Sequence, residues 1–183
     1  MRRVRERDSA SLVTAVLGGI FDTYTAASSL QPFLKGLNRY IYDTFQIRYF
    51  VTGIFVELDC LTGTATLCDM GHSYILVMEG KSLFRLGRKL ANPPLGVARD
   101  LTPMLTTYQF SHGSRFILFT DGVVEQRNRQ GEEYSQTRLW KMLKDNMDLS
   151  PHALRETLVS DFDSFRGIQP QGDDLTFLIL KYR

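Results

Sequence analysis

The sequence predicts an α+β domain in which antiparallel sheets are covered by helices. Three observations predict it. Short runs rich in β-branched and aromatic residues come in pairs separated by turn residues, the pattern of hairpins. Segments with helical spacing are grouped before and after these runs rather than between them. With 183 residues, 43% of them hydrophobic and 23% charged, the chain has room for one sizeable core, and no linker or repeat divides it.

Residues 9 to 27 read as a helix, with Leu12, Val13, Val16, Leu17, Ile20, Phe21 and Tyr24 on one stripe and Asp8 or Ser9 as N-cap. Gly18-Gly19 inside it costs roughly 1 kcal/mol per glycine relative to alanine. A second helix starts at Ser29 or Leu30, with Ser29 as cap and Pro32 in the first turn. Its stripe is Leu30, Phe33, Leu34, Leu37, Ile41 and Phe45. The short polar link makes the two helices an antiparallel pair.

Residues 50–58 and 64–69 then form a hairpin around Asp59-Cys60-Leu61-Thr62-Gly63. Residues 74–78 and 82–86 form a second around Glu79-Gly80. Residues 87–103 hold three of the six prolines and read as an irregular loop. Residues 105–110 and 115–120 are expected as a third hairpin, across His112-Gly113. A polar stretch over 125–133 leads to a helix over 135–143 that buries Leu139, Trp140 and Leu143. The next helix has Ser150 as N-cap, Pro151 as first residue and Leu154, Leu158, Phe162 and Phe165 as its stripe. A loop over 167–172 precedes the final strand, 175–180.

Bulk properties exclude several function classes. A net charge of +2 demands neither nucleic acid nor an anionic membrane as partner. Arg2, Arg3, Arg5 and Arg7 read as a solvated terminus. Cys60 and Cys68 read as reduced thiols, which points to the cytoplasm. No run approaches the roughly 18 apolar residues that span a bilayer, and the arginines are not followed by a signal-peptide core.

The chemistry centres on Arg115-Phe116-Ile117-Leu118-Phe119-Thr120-Asp121-Gly122, an apolar strand running into an acid and a glycine. The device recurs at Gly172-Asp173-Asp174, which leads into a second apolar strand. A carboxylate at the mouth of a buried strand needs a partner, and a hard divalent cation suits it. Asp121 and Asp173 are therefore read either as turn formers or as ligands of one ion. His72 follows a strand, where a histidine binds metal, moves protons or fixes a turn. His112 and His152 read as surface residues. No zinc cluster, nucleophile elbow or phosphate-binding glycine loop is present in the sequence.

The ordered set of pieces resembles the PPM-type serine/threonine phosphatases, in the bacterial branch typified by stage II sporulation protein E and the stress-response sigma-factor regulators. The pieces are Asn38, Phe50-Val51-Thr52, Leu58-Asp59-Cys60-Leu61-Thr62-Gly63, Met70-Gly71-His72-Ser73 and Pro94-Leu95-Gly96. They continue with Phe119-Thr120-Asp121-Gly122-Val123-Val124-Glu125, Asn128, Gly131-Glu132 and Gly172-Asp173-Asp174-Leu175-Thr176. The resemblance runs from about residue 9 to the end. It implies one domain over 1–183, a four-layer αββα sandwich of two antiparallel sheets flanked by helices. It implies a binuclear manganese or magnesium centre that activates water for attack on phosphorus. Carried over by position, Asp121 and Asp173 are metal ligands, Gly122 lets the backbone turn beside the metal, Asp174 supports a ligand, and His72 is structural. The implied substrate is a phosphorylated regulatory protein such as an anti-sigma-factor antagonist. Residues 9–46 correspond to helices that serve as a switch or a homodimer surface.

One departure stands out. The family's opening strands and its Asp-Val-Ser-Gly-His-Gly segment supply further acidic ligands, whereas this chain reads Arg2-Arg3-Val4-Arg5-Glu6-Arg7 there. The expectation is a domain with its opening strands missing. It is either part of a phosphatase or a pseudophosphatase that binds a partner without turnover.

Overall fold

The computed structural model describes residues 13–22, 29–46, 48–86 and 92–183. The caps at Asp8 or Ser9, the stripe residues Leu12 and Tyr24, the arginine cluster, and residues 87–91 of the proline-rich loop lie outside them. The chain divides into two compact units, Met1–Thr52 with Pro93–Met104, and Gly53–Asn92 with Leu105–Arg183.

Among the described residues the second unit holds seven strands: β1 (Gly53–Asp59), β2 (Thr64–Met70), β3 (Ile75–Glu79), β4 (Ser82–Arg85), β5 (Thr106–Gln109), β6 (Arg115–Phe119) and β7 (Phe177–Lys181). They make two antiparallel sheets, ordered β1-β2-β5 and β4-β3-β6-β7. The first hairpin closes on Asp59, whose Oδ1 accepts from the N–H of Leu61 at 2.9 Å and of Thr62 at 3.2 Å. Gly63 completes that turn at φ +71°, and a Cβ there would lie 2.6 Å from the Tyr182 ring.

Alternation along the strands sorts side chains into two cores. Ala65, Leu67, Ile75, Val77, Phe110 and Phe116 fill the space between the sheets. Leu76, Met78, Ile117 and Phe119 face the other way, toward α3 (Asp121–Glu125), α4 (Ser135–Asp145) and α5 (Pro151–Arg166). Those helices contribute Val123, Leu139, Leu143, Leu154, Leu158 and Phe162. This unit is thus a sheet, a second sheet and a helical layer. In α5 the Ser150 hydroxyl accepts from the Ala153 N–H at 3.2 Å and Pro151 takes the first position, as the sequence predicts. Between α4 and α5, the buried Tyr134 donates its hydroxyl to Asp161 at 2.6 Å, and Arg138 meets the same carboxylate with two nitrogens.

The first unit contains a helix over 13–21, α1, and the helix α2 (Leu30–Phe45). Leu30, Leu34, Leu37 and Ile41 are buried along α2, and Phe33 meets Phe21 edge-on with centroids 5.3 Å apart. The buried stripe includes a polar residue, Asn38. Its side-chain N–H groups donate to the carbonyls of Ala98 and Arg99, and its oxygen accepts from the Gly96 N–H at 2.9 Å. The amide thereby fastens the 93–104 segment to the helix.

Several expectations are corrected. Residues 105–110 and 115–120 are not a hairpin: β5 pairs with β2 in one sheet, and β6 pairs with β3 and β7 in the other. The segment between them is a corner that carries the chain from sheet to sheet. Phe110 is its hinge, buried between the sheets against Phe116 with centroids 5.7 Å apart. Residues 13–21 of the first predicted helix are helical and Asp22 lies in a turn, while residues 9–12 and 23–27 of that prediction lie outside the described residues. Ser29 occupies the N-cap position of α2 without a side-chain capping bond. Trp140 is half-buried, and Met142 takes the core position instead. The final strand starts at Phe177, two residues later than expected.

Candidate functional site

Strands β6 and β7 run antiparallel, with Phe119 opposite Phe177. The end of β6 is therefore next to the beginning of β7. Asp121 follows the one, and Asp173 precedes the other. Side-chain and backbone bonds fix the junction. The Thr120 N–H donates to Thr176 O at 3.1 Å, the Thr176 N–H donates to the Thr120 hydroxyl at 3.0 Å, and that hydroxyl donates to Asp174 O at 3.3 Å.

Gly122 is where the two segments come closest. A Cβ on it would lie 2.4 Å from Asp174 O, a distance no side chain tolerates. The glycine serves close backbone approach rather than the tight turn expected of it. Asp121 is the first residue of α3, not part of an isolated turn. Its Oδ1 accepts from the Gly122 N–H at 3.0 Å, and Asp173 Oδ1 accepts from the Asp174 N–H at 2.7 Å.

Asp121, Asp173 and Asp174 are all exposed to solvent. The expectation that a carboxylate here would be costly without a partner is therefore wrong, because water reaches it. What remains is a concentration of negative charge. Glu125, one turn beyond Asp121 on α3, adds to it. Burial pushes the Tyr74 phenol above its ordinary 10, and the charges of Glu125 and Asp121 push it further. A cleft of about 350 Å³ between α3 and the 169–173 loop carries Glu125, Arg127 and Asp173 on its walls.

His72 stands behind this site rather than in it. Its Nε2 lies 3.0 Å from Phe119 O, so Nε2 carries the proton and donates. Asp69 sets up that contact. It is nearly buried, and its carboxylate accepts from the N–H groups of His72 at 2.8 Å and Ser73 at 3.0 Å. Ser73 takes a left-handed φ of 69° in the same turn. Asp69, Tyr74, Glu125 and Gln126 all shape the site, and sequence reasoning passed over their roles. A carboxylate before Gly71-His72-Ser73 was the one legible hint, since aspartate commonly accepts from the next turn's N–H groups.

Among the described residues, no group of three or more His, Cys, Asp or Glu side chains is placed to hold a metal ion. The carboxylates of Asp121 and Asp173 suit one hard divalent cation completed by water, since magnesium commonly takes one or two carboxylates. They do not suit a bridged pair of ions without further acids.

The geometry has counterparts among known proteins. The phosphoserine phosphatase RsbP of Bacillus subtilis (strain 168) is 24% identical over 177 residues, covering 94% of this chain and 42% of RsbP. This chain thus spans less than half the length of that relative. The SiaA-PP2C domain of Pseudomonas aeruginosa superposes with a TM-score of 0.77 at 18% identity, over 94% of this chain and 68% of that one. The PP2C phosphatase domain of SpoIIE from Bacillus subtilis, with a fragment of its regulatory domain, superposes with a TM-score of 0.71 at 15% identity, over 93% and 48% of the two chains. At such identities the likeness is one of fold. A family model goes further, because it matches residues 9–183, which include the Asp121-Gly122 and Asp173-Asp174 segments. The chain belongs to the stage II sporulation protein E (SpoIIE) family.

Proposed function

We propose that this chain is a metal-dependent protein phosphatase domain that hydrolyses phosphoserine or phosphothreonine on a regulatory protein such as an anti-sigma-factor antagonist. The observation that carries this reading is the meeting of Asp121-Gly122 with Asp173-Asp174 at one end of the β6–β7 pair. The substrate class draws support from RsbP, whose name is phosphoserine phosphatase. Asp121 and Asp173 are the residues that would hold Mn2+ or Mg2+. When bound, such an ion neutralises charge on phosphoryl oxygens and lowers the pKa of its water. Exposure of both aspartates leaves the site open to a residue presented on another protein's surface. Gly122 and the Thr120–Thr176 bonds support the reading by holding together the two backbone segments that carry these aspartates.

A second reading is a partner-binding module without turnover. It is favoured by the absence, among the described residues, of a third ligating side chain at the pair. Manganese-dependent phosphate release from a phosphoserine peptide separates the two readings. Release that Asp121→Asn abolishes supports the phosphatase. No release at millimolar manganese, with tight binding of a phosphorylated partner retained, supports the module.

A cytoplasmic location is part of the proposal, and Cys60 and Cys68, neither of which is in a disulfide, fit a reducing compartment. Homodimerisation through residues 9–46 is a further part. Phe21 and Tyr40 are exposed within that segment, and sedimentation of the chain tests the idea.

A further inference from the structure

We propose that Gln126 is a positioning residue that sets the place of Asp173 relative to Asp121. The inference rests on the reading of those two aspartates as cation ligands. Gln126 follows α3 directly and is 5% exposed. Its backbone is held on the far side by the Tyr134 N–H, which donates to Gln126 O at 2.8 Å. Its side chain reaches into the loop before β7. There Nε2 donates to Pro170 O at 3.1 Å, and to its neighbour Arg127 O at 3.0 Å, while Oε1 accepts from the Gly172 N–H at 3.0 Å.

One side chain therefore grips both ends of the tripeptide Pro170-Gln171-Gly172, immediately before Asp173. Downstream, Asp174 and Thr176 are bonded to Thr120. Asp173 is suspended between two anchor points, and both belong to the segment that carries Asp121. Neither aspartate is gripped by burial, since both are exposed. Their separation is set by these backbone anchors.

The glutamine amide meets a specific chemical demand. The loop presents a carbonyl at one end and an N–H at the other, so the clamp must donate and accept at once. Methionine fills the same space and does neither. Glutamate keeps the acceptor but places a charge against two carbonyls. An exposed loop without the clamp samples other arrangements, and a cation then has to order it on binding. Side chains that orient a metal ligand typically change metal affinity 10–100-fold when removed.

The test is manganese binding by the whole chain, followed by the EPR signal of free Mn2+, for the unaltered protein, Asp121→Asn and Gln126→Met. The expected result is loss of binding in Asp121→Asn and about a tenfold or greater weakening in Gln126→Met. The bound-ion spectrum of Gln126→Met should also be broadened. If Gln126→Met binds like the unaltered chain while Asp121→Asn does not bind, the positioning role is overturned and the ligand reading stands. If the unaltered chain and Asp121→Asn bind alike, or neither binds, the ligand reading falls and the positioning role falls with it. Hydrogen exchange on the unaltered, metal-free chain covers the case in which Gln126→Met does not fold. The Gly172 amide should exchange about tenfold or more below the rate of an unbonded peptide, and exchange at that free rate overturns the clamp.

Discussion

Phe119 sits directly across from Phe177 in the β6–β7 ladder, with ring centroids 6.3 Å apart. This pairing decides where the acids go. A strand register is fixed when one face is buried, because a slip of one residue would turn every apolar side chain outward. Phe119 faces the helical layer, packed with Val123, Leu139 and Leu158. Core packing of two phenylalanines thus places Asp121 and Asp173 at one sheet end without any bond between the aspartates.

Gly122→Ala is expected to damage both stability and site. The new Cβ would lie 2.4 Å from Asp174 O, and backbone rather than a flexible side chain has to give way. The expected cost is about 1–3 kcal/mol, read as a lower urea midpoint. Manganese affinity should fall as well, since the displaced peptide adjoins Asp173. An alanine variant with unchanged midpoint and affinity would show that the approach is looser than described.

Glu79 gives stability a dependence on acid pH. Hydrogen bonds from Ser111, Tyr108 and Ser114 hold its carboxyl below the ordinary 4.5. A depressed folded value means that the contribution is present above pH 4.5 and is lost as pH falls through the folded value. Its partner Tyr108 works at the other end of the scale. Burial and the bond to Glu79 raise that phenol from 10 to about 12, so its contribution is present below pH 10 and is lost as pH rises through about 12. Urea unfolding of Glu79→Gln against the parent should show a stability gap near neutrality that closes in acid. A gap independent of pH would contradict the assignment.

Asn38→Ala should loosen the 93–104 segment without unfolding the strand-bearing unit. It leaves the Gly96 N–H and the carbonyls of Ala98 and Arg99 without their buried partner. Each unsatisfied buried group costs on the order of 1–3 kcal/mol. Amide exchange should quicken at Gly96 and its neighbours while β3 and β6 keep their protection.

Asp161→Asn tests the α4–α5 clasp. The Arg138 bond is the main reason its carboxyl lies below the usual range, ahead of the bond from Tyr134. Asparagine keeps one acceptor for Tyr134 but loses the doubly bonded guanidinium, so a loss of about 1–3 kcal/mol is expected. The thermal midpoint of the variant measures it. Tyr134→Phe should cost a similar amount, because the phenol is buried.

Much of the fold was readable because it rests on local signals. The β1–β2 and β3–β4 hairpins, the Leu34-Leu37-Ile41 stripe and the Ser150-Pro151 helix start all carry their information within a few residues. The corner at Phe110 was misread because His112-Gly113 looks the same in a hairpin and in a crossing between sheets. Only the long-range choice of partners, β2 for β5 and β3 for β6, separates the two. At the site, the aspartates were legible as acids at strand ends. Gln126 was not, because a glutamine in a polar stretch carries no sign that it will be buried. Exposure of Asp121 was missed for a related reason: an apolar strand says nothing about how far beyond its end the solvent begins.

The position of β7 bears on how a newly made chain comes to possess its acidic pair. β6 leaves the ribosome with Asp121 attached, but β7, one of its two sheet neighbours, is separated from it by α3, α4 and α5. Until β7 docks, one long side of β6 offers unpaired backbone to any passing strand, including that of another nascent copy. Chains halted before Gly172 should therefore aggregate more readily than finished ones, and should be blind to manganese whatever the rest of the fold has achieved.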